Sequence, residues 1–340
     1  MPGEEREIYQ PIHINIRSKL DPEYVAFHDK YMQYVPCDES KIWDGSARIA
    51  PSLPFGGAAT VKVASVQDIE LPKIKLRAYI PQVNHASKLP CLLWFHGGGW
   101  AIGGLNDGKD FCSFLCREAQ CVVITVDYRL APEDPYPAAV NDAVDSLLWV
   151  RSIGKDLFGL DLHRIAVGGT SAGANLAIVL CLKAARDLEI RVCYQLLIVP
   201  VVDNTATADG IWSENCDAPW LTPTRMIWYR RMYMPVENDW KNWDASPHLA
   251  PESLLKRLPP TWIAISGQDL LAPEARLFAQ QLNQLKVPVT VHDIEGGTHS
   301  ILALCGILST GKVMIKEAAK ALKGEFGRET RKGSEANEIV

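Results

Sequence analysis

The feature that most constrains the fold of this chain is a regular alternation of short apolar runs and longer helical patterns from about residue 60 onward. The runs at 91–95, 122–126 and 196–199 are continuously apolar, as expected of strands that helices cover on both faces. Such alternation is typical of a mostly parallel sheet flanked by helices. We predict eight strands, at 61–67, 74–80, 91–95, 121–126, 164–168, 194–199, 262–266 and 289–293.

Two regions interrupt the alternation. Residues 1–50 hold a helical pattern before any strand, and residues 203–245 separate two strands by far more than the usual connection of about 2–6 residues. The second region holds five of the ten tryptophans, which favours a lid over a floppy loop. The charged, aromatic-poor tail at 323–340 is predicted to be disordered.

Charge and composition exclude several classes of protein. A net charge of -5 gives no basic field for nucleic acid, and no stretch approaches the roughly 18 apolar residues of a membrane span. The polar N-terminus lacks an apolar signal core, so we expect a cytoplasmic protein. Nine cysteines without a C-x-x-C motif indicate reduced thiols, and the four-residue spacing of Cys112 and Cys116 is by itself no metal site.

A G-x-S-x-G pentapeptide stands at 169–173. It follows the strand predicted at 164–168 and opens a helical pattern, which is the context in which this motif forms a sharp strand-to-helix turn. The turn exposes the hydroxyl of Ser171, and the flanking glycines leave room for the crowded backbone. The helix start also directs N–H groups toward developing negative charge. We predict that Ser171 is the nucleophile of a serine hydrolase.

A glycine-rich segment, HGGGW at 96–100, directly follows the strand predicted at 91–95. Consecutive glycines let the backbone turn N–H groups into a cavity, where an acyl-transfer enzyme needs donors for an oxyanion. A phosphate-binding loop would instead need a Lys and a Ser or Thr at fixed spacing, which this segment lacks. Residues 127–142 are expected to brace the loop. We predict Gly98, Gly99 and Ala172 as oxyanion donors, with His96 and Gly97 as supporting residues.

A serine nucleophile needs a histidine base steered by a carboxylate. His299 lies in a glycine-containing turn between the last predicted strand and the last helix, and Asp269 follows the strand predicted at 262–266. With Ser171, both fall at the carboxyl ends of predicted parallel strands. The order Ser, Asp, His is that of α/β-hydrolases. Asp203 and Asp293 also follow strands and remain alternatives for the acid.

These segments together resemble the hormone-sensitive-lipase-like family of α/β-hydrolases over about residues 60–320. The resemblance implies an α/β-hydrolase fold with an eight-stranded, mostly parallel sheet flanked by helices, and a triad of Ser171, Asp269 and His299. It also implies a cap, built from 1–50 and from an insertion after strand six at 203–245, over a core of 51–202 and 246–322. The matching segments are HGGGW at 96–100, DYRLAPEDPYPAAVNDA at 127–143, GTSAGANLA at 169–177, GQDLL at 267–271 and GTHS at 297–300.

The chain departs from the family pattern at three positions. The family usually has Asp before the nucleophile and Gly after the second glycine of the pentapeptide, where this chain has Thr170 and Ala174. Many members carry a second acid four residues after the triad Asp, where this chain has Pro273. None of these changes removes a triad atom, but they indicate altered support around the nucleophile.

We expect hydrolysis of a small or medium carboxylic ester, including aromatic or natural-product esters, with no metal or organic cofactor. Trp100, Trp212 and Trp220 are predicted to line the substrate pocket. No nucleic-acid partner or membrane span is expected. The sequence is compatible with a homodimer. The alternatives are a non-catalytic small-molecule receptor on the same fold, or a lactonase, amide hydrolase or eliminase using the same site. Retention of His299 argues against the receptor, because plant hormone receptors that resemble this family have lost that histidine.

Overall fold

The computed structural model describes residues 6–49, 56–83, 88–188 and 190–337, with backbone only for 329–337. Its centre is one eight-stranded sheet, so the predicted number of strands is confirmed. The predicted boundary between residues 50 and 51 lies outside the described residues. The strands are β1 (Ser65–Glu70), β2 (Lys75–Ile80), β3 (Leu89–Phe95), β4 (Val122–Asp127), β5 (Leu160–Thr170), β6 (Tyr194–Ile198), β7 (Thr261–Ser266) and β8 (Val289–Ile294).

The sheet is mostly parallel, as predicted. Its spatial order is β1-β2-β4-β3-β5-β6-β7-β8. The first two strands pair antiparallel with each other, and β2 pairs antiparallel with β4; the remaining pairs are parallel. Every residue of β3, β6 and β7 is buried, because helices cover both faces of the sheet. The carboxyl ends of β3, β5 and β7 therefore meet at one edge, where open α/β sheets bind ligands.

Helices pack against both faces of the sheet. The buried side chains of α4, α6 and α9 belong to one apolar cluster, and those of α2, α3 and α10 belong to a second. The α-helices are α1 (Ile14–Arg17), α2 (Pro22–Lys30), α3 (Lys109–Ala119), α4 (Ala138–Trp149), α5 (Lys155–Leu157), α6 (Ala172–Lys183), α7 (Pro223–Tyr233), α8 (Glu252–Leu255), α9 (Ala272–Gln284) and α10 (Ser309–Asn337).

The last helix differs from the sequence prediction at both ends. It begins at Ser309 rather than 299, and it continues to Asn337 where a disordered tail was predicted from 323. Leu322 and Phe326 are buried against the sheet with the spacing of one helical face, so the helix has a packing reason to pass residue 323. Residues 338–340 of the predicted tail lie outside the described residues.

The N-terminal segment and the insertion contact each other. Glu39 accepts a hydrogen bond of 2.8 Å from Nε of Arg225 on α7, and both side chains are buried. The rings of Trp43 and Trp228 also meet, with centroids 5.6 Å apart. A buried charge pair and an aromatic contact therefore join the two segments that were predicted to form the cap.

None of the nine cysteines, all of which lie in the described ranges, forms a disulfide, and seven of them are buried. Within the described ranges, no helix combines the length and apolar character required to cross a membrane. The same residues contain no cluster of three or more His, Cys, Asp or Glu side chains that could hold a metal ion.

Candidate active site

Ser171 lies in a tight turn between β5 and α6. Its φ of 55° and ψ of −119° are strained for a residue with a side chain, as expected at the sharp strand-to-helix turn of this motif. The turn needs small neighbours. A Cβ on Gly169 would lie 2.3 Å from the carbonyl carbon of Gly173, and a Cβ on Gly173 would lie 2.2 Å from the carbonyl oxygen of Phe95. The two glycines of the pentapeptide therefore permit the turn sterically.

Ser171, His299 and Asp269 form one continuous hydrogen-bonded line. Nε2 of His299 lies 2.9 Å from Oγ of Ser171, and Nδ1 lies 2.9 Å from Oδ2 of Asp269. With the proton on Nδ1, the imidazole donates to Asp269 and can accept the serine proton. Asp269 is only 1% exposed, and its Oδ1 accepts a hydrogen bond from the Leu271 amide. The geometry is that of a nucleophile, a general base and an orienting acid.

The two alternative acids are engaged elsewhere. Oδ1 of Asp203 accepts hydrogen bonds of 2.7 and 2.6 Å from the amide and hydroxyl of Thr205. Asp293 forms an ion pair with Arg276. Of the three candidate carboxylates, Asp269 is the one in contact with His299.

The three predicted oxyanion donors have main-chain amides without a protein acceptor among the described residues. Gly98 and Gly99 have φ values of 114° and 58°, which favour glycine. Ala172 begins α6, where amides have no partner within the helix. Among the described residues, these three amides donate no hydrogen bond to a protein acceptor. They are therefore available for an oxyanion.

Residues of the segment 127–142 brace the glycine loop, as predicted. The ring of Tyr128 stacks on His96 at a centroid distance of 4.2 Å, and its hydroxyl donates to the His96 carbonyl at 2.8 Å. Burial lowers the pKa of His96, so its Nδ1–H donates to the Gly97 carbonyl at 2.7 Å from a neutral ring. Arg129 in turn pairs with the buried carboxylate of Asp142. His96 supports the loop through these contacts, and among the described residues its side chain has no hydrogen bond to Ser171, Asp269 or His299.

Comparison with known proteins decides the family. A family model described as the alpha/beta hydrolase fold matches residues 92–303, more than half of the chain. An AB hydrolase superfamily protein of Schizosaccharomyces pombe is 36% identical over 93% of this chain and 97% of that protein. The chain belongs to the hormone-sensitive-lipase-like family of α/β-hydrolases.

Two further relatives extend the likeness. Carboxylesterase NlhH of Mycobacterium tuberculosis is 36% identical over 74% of this chain and 79% of its own length. The solved structure of the ester-hydrolase EH1AB1, from the metagenome of Lake Arreo, superposes with a TM-score of 0.82 at 30% identity. It covers 91% of this chain and 99% of the solved one.

The three departures from the family pattern are accommodated locally. Ala174 is fully buried in α6. Thr170 packs against the glycine loop, with its Cγ2 3.2 Å from the place that a Cβ on Gly97 would occupy. Pro273 lies in the first turn of α9, where proline is tolerated. The line from Ser171 to Asp269 is intact beside all three.

Two of the three tryptophans predicted to line the pocket belong to the core, which corrects that prediction. Trp100 is fully buried and stacks on Tyr233 with ring centroids 4.4 Å apart. Trp212 is also fully buried, and its Nε1 donates to Glu274 at 2.7 Å. Neither ring is exposed to a ligand. Trp220 is partly buried, and the Arg225 guanidinium lies 4.9 Å from its ring centroid.

Sequence reasoning missed Glu274, a buried carboxyl group next to Pro273. Its Oε1 accepts hydrogen bonds from the amides of Val202 and Asp203, and its Oε2 accepts the one from Trp212. Burial raises the pKa of Glu274 to about 8. The carboxyl group of Glu274 therefore joins α9 to the first residues after β6 and to Trp212 within the insertion. An acid one residue beyond Pro273 was the available signal.

Two side chains of the insertion contact the turn that carries Asp269 and the glycine-rich segment 96–100, and neither contact was predicted. Nδ2 of Asn215 donates to the carbonyl oxygens of Gly267 and Asp269, at 3.0 and 2.6 Å. The ring of Tyr229 packs on Gly99, because a Cβ added there would lie 2.2 Å from Cγ of the tyrosine. No local motif marks either residue.

A groove of about 650 Å³ lies beside α7. Its walls come from the N-terminal segment, the 132–135 turn and one face of α7, including Trp43, Trp228 and Arg231. The triad residues are not among its walls. Because neither Ser171 nor the three candidate oxyanion donors line it, we place the candidate active site at Ser171 rather than in this groove.

Proposed function

We propose that this chain hydrolyses carboxylic esters through an acyl-enzyme on Ser171. The observation that carries the proposal is the line of two 2.9 Å contacts from Ser171 through His299 to Asp269. Relatives named as a carboxylic ester hydrolase and a carboxylesterase support the reaction class. The solved structure of EH1AB1 was determined with a bipyridine phosphonate derivative, which supports chemistry at a tetrahedral centre.

The first half of the reaction acylates the serine. Oγ of Ser171 attacks the ester carbonyl carbon while its proton passes to Nε2 of His299, and the carbonyl electron pair moves onto oxygen. The amides of Gly98, Gly99 and Ala172 hydrogen-bond that oxyanion. When the oxyanion collapses, the bond to the alcohol oxygen breaks, and the alcohol takes the proton from His299.

The second half releases the acid. Water gives a proton to His299 and attacks the acyl carbon, and a second tetrahedral intermediate collapses to free Oγ of Ser171, which recovers the proton. Asp269 stays ionised and stabilises the imidazolium in both halves. This sequence balances with an ester and a water molecule alone.

The proposed substrate is a small or medium ester, with aromatic and natural-product esters included, rather than a long-chain triglyceride. The proposal rests on the aromatic content of the insertion and on the Tyr229 ring beside Gly99. Turnover of p-nitrophenyl and naphthyl esters of increasing acyl length tests the range. We expect the highest kcat/KM for short acyl chains; an optimum on long-chain lipids would contradict this part of the proposal.

Substitution of the triad tests the mechanism. We expect Ser171→Ala and His299→Gln each to lower kcat on p-nitrophenyl butyrate by about 10⁴-fold or more. Ser213→Ala, an exposed serine of the insertion, is the matched control and should keep wild-type kinetics. A Ser171→Ala variant that keeps more than about a tenth of the activity would overturn the mechanism. So would a Ser213→Ala variant with an equal loss.

A further inference from the structure

Tyr229, on α7 of the insertion, lies against Gly99 of the glycine-rich segment 96–100. A Cβ on Gly99 would lie 2.2 Å from Cγ and 2.4 Å from Cδ1 of Tyr229, so the ring rests directly on the glycine α-carbon. The Gly99 amide is one of the three donors available to the oxyanion. A substrate whose carbonyl oxygen reaches this amide is therefore close to the tyrosine ring.

The hydroxyl of Tyr229 is free to bind a ligand. Among the described residues it has no hydrogen-bond partner, and Tyr229 is only partly buried, unlike Tyr79 and Tyr233, which are buried with unpartnered hydroxyls. Burial of the side chain raises the pKa of Tyr229 to about 12. The group is thus a neutral phenol at the pH of ester hydrolysis, and it can donate one hydrogen bond.

The helix that carries Tyr229 is held in place. One turn earlier, Arg225 pairs with the buried Glu39 at 2.8 Å and donates to the Trp220 carbonyl at 2.6 Å. The adjacent Trp228 packs on Trp43 of the N-terminal segment. These contacts fix the inner face of α7, so the phenol is positioned before a substrate binds, which lowers the entropic cost of using it.

We propose that Tyr229 is a specificity-determining residue that donates a hydrogen bond to an oxygen atom of the substrate near the scissile ester. The inference rests on the proposed function and adds a substrate class to it. Esters with an ether, keto or hydroxyl oxygen within a few bonds of the carbonyl are favoured over hydrocarbon esters of the same length. A site built with a donor discriminates against a substrate that lacks the acceptor.

Two isosteric pairs of substrates test the proposal. On the acyl side the pair is p-nitrophenyl methoxyacetate and p-nitrophenyl butyrate. On the alcohol side it is 2-methoxyethyl acetate and butyl acetate, followed by pH-stat titration. Within each pair, an oxygen replaces one methylene group. The ratio of kcat/KM values is compared between the wild type and Tyr229→Phe, so the intrinsic reactivity of each ester cancels.

We expect Tyr229→Phe to lower the preference for the oxygen-bearing ester by about 3- to 10-fold in at least one pair, the effect of one neutral hydrogen bond. The control is Tyr79→Phe, which removes an enclosed hydroxyl on β2 and should leave both ratios unchanged. Unchanged ratios in Tyr229→Phe, or an equal change in Tyr79→Phe, would overturn the proposal.

The proposed function and the role of Tyr229 can be refuted separately. If Ser171→Ala abolishes hydrolysis and the Tyr229→Phe ratios equal those of the wild type, the proposed function stands and the role of Tyr229 falls. If Ser171→Ala hydrolyses all four esters as the wild type does, the proposed function falls, and the inference about Tyr229 falls with it.

Discussion

The side-chain amide of Asn215 donates a 2.6 Å hydrogen bond to the main-chain carbonyl oxygen of Asp269, the residue whose carboxylate orients His299. The same nitrogen donates to the Gly267 carbonyl at 3.0 Å. Asn215 belongs to the insertion, whereas Asp269 belongs to the turn after β7. The insertion therefore holds the backbone of the residue that contacts His299.

Replacing Asn215 with Ala should lower kcat by about 10-fold, because loss of two hydrogen bonds releases the turn that carries the acid. We expect a smaller change in KM, since Asn215 contacts backbone and not the serine. Steady-state kinetics on p-nitrophenyl butyrate measure both. The control is Asn242→Ala, in the same insertion, whose side chain bonds Asp239 and Tyr136. A wild-type kcat in Asn215→Ala would show that the turn carrying Asp269 needs no support from the insertion.

Replacing Gly99 with Ala should lower kcat by about 10²-fold or more. The new Cβ must displace the Tyr229 ring, and the φ of 58° is strained for alanine, so the substitution shifts the amide that is proposed to bind the oxyanion. Gly45→Ala is the matched control, with a φ of 81° and no atom within 4 Å of the added Cβ. It should keep full activity. Equal kcat values for Gly99→Ala and the wild type would argue against Gly99 as an oxyanion donor.

The contact between Gly99 and Tyr229 also predicts a partial rescue. Tyr229→Ala removes the ring that an alanine at 99 would strike. The Gly99→Ala, Tyr229→Ala double variant should therefore have a higher kcat than Gly99→Ala alone, which is a non-additive pair of contacting residues. A double variant in which the two single losses simply multiply would indicate that the clash is not the cause.

Replacing Trp212 with Phe should destabilise the fold and leave specificity unchanged. The change removes the hydrogen bond to the buried Glu274 and leaves a small void, at a cost of about 1–3 kcal/mol in the free energy of unfolding. Urea denaturation measures the loss, and the acyl-length profile measures specificity. A shifted acyl-length profile with an unchanged free energy of unfolding would indicate that Trp212 lines the substrate pocket.

The carboxyl group of Glu274 should make stability depend on pH. Its pKa is about 8 in the folded protein and 4.5 as the ordinary value, so the folded protein holds the proton over this window while the unfolded chain releases it. The free energy of unfolding should therefore fall as pH rises from 5 to 8, by at most about 1.4 kcal/mol per pH unit.

Glu274→Gln cannot titrate, so its stability should rise relative to the wild type across the same window. Urea denaturation at pH 5, 6, 7 and 8 gives the comparison. The control is Glu252→Gln. Glu252 is an exposed residue of α8 that lies near Lys256, and this variant should follow the wild-type curve. Parallel curves for Glu274→Gln and the wild type would mean that the proton is not held in the fold.

Burial on both faces is what made the central strands predictable. A strand such as β3 is apolar at nearly every position, and the sequence shows this directly. The edge strand β1 is mostly exposed, and its predicted range of 61–67 became Ser65–Glu70. Its bounds follow from pairing with β2, in which Ser65 lies opposite Ile80, and not from a pattern of its own. The helix through residue 323 likewise depends on tertiary packing of Phe326.

The hydrogen-bonded arrangement of Ser171, His299 and Asp269 was predictable because local rules position each residue. Ser171 needs a glycine-flanked turn, and Asp269 and His299 each follow a strand. Asn215 and Tyr229 are different, because each acts on a segment that is distant in sequence. The tryptophans predicted to line the pocket show a different limit of sequence analysis. A bulky aromatic side chain suits a pocket wall and a core equally well, and Trp212 lies in the core.

The most direct test of the central claim, that Ser171 is the nucleophile, is labelling with a fluorophosphonate probe followed by peptide mass spectrometry. We predict one adduct per chain on Ser171, no adduct in Ser171→Ala, and slow labelling in His299→Gln. An unlabelled Ser171 in the wild type, or an adduct on a different residue, would contradict the account.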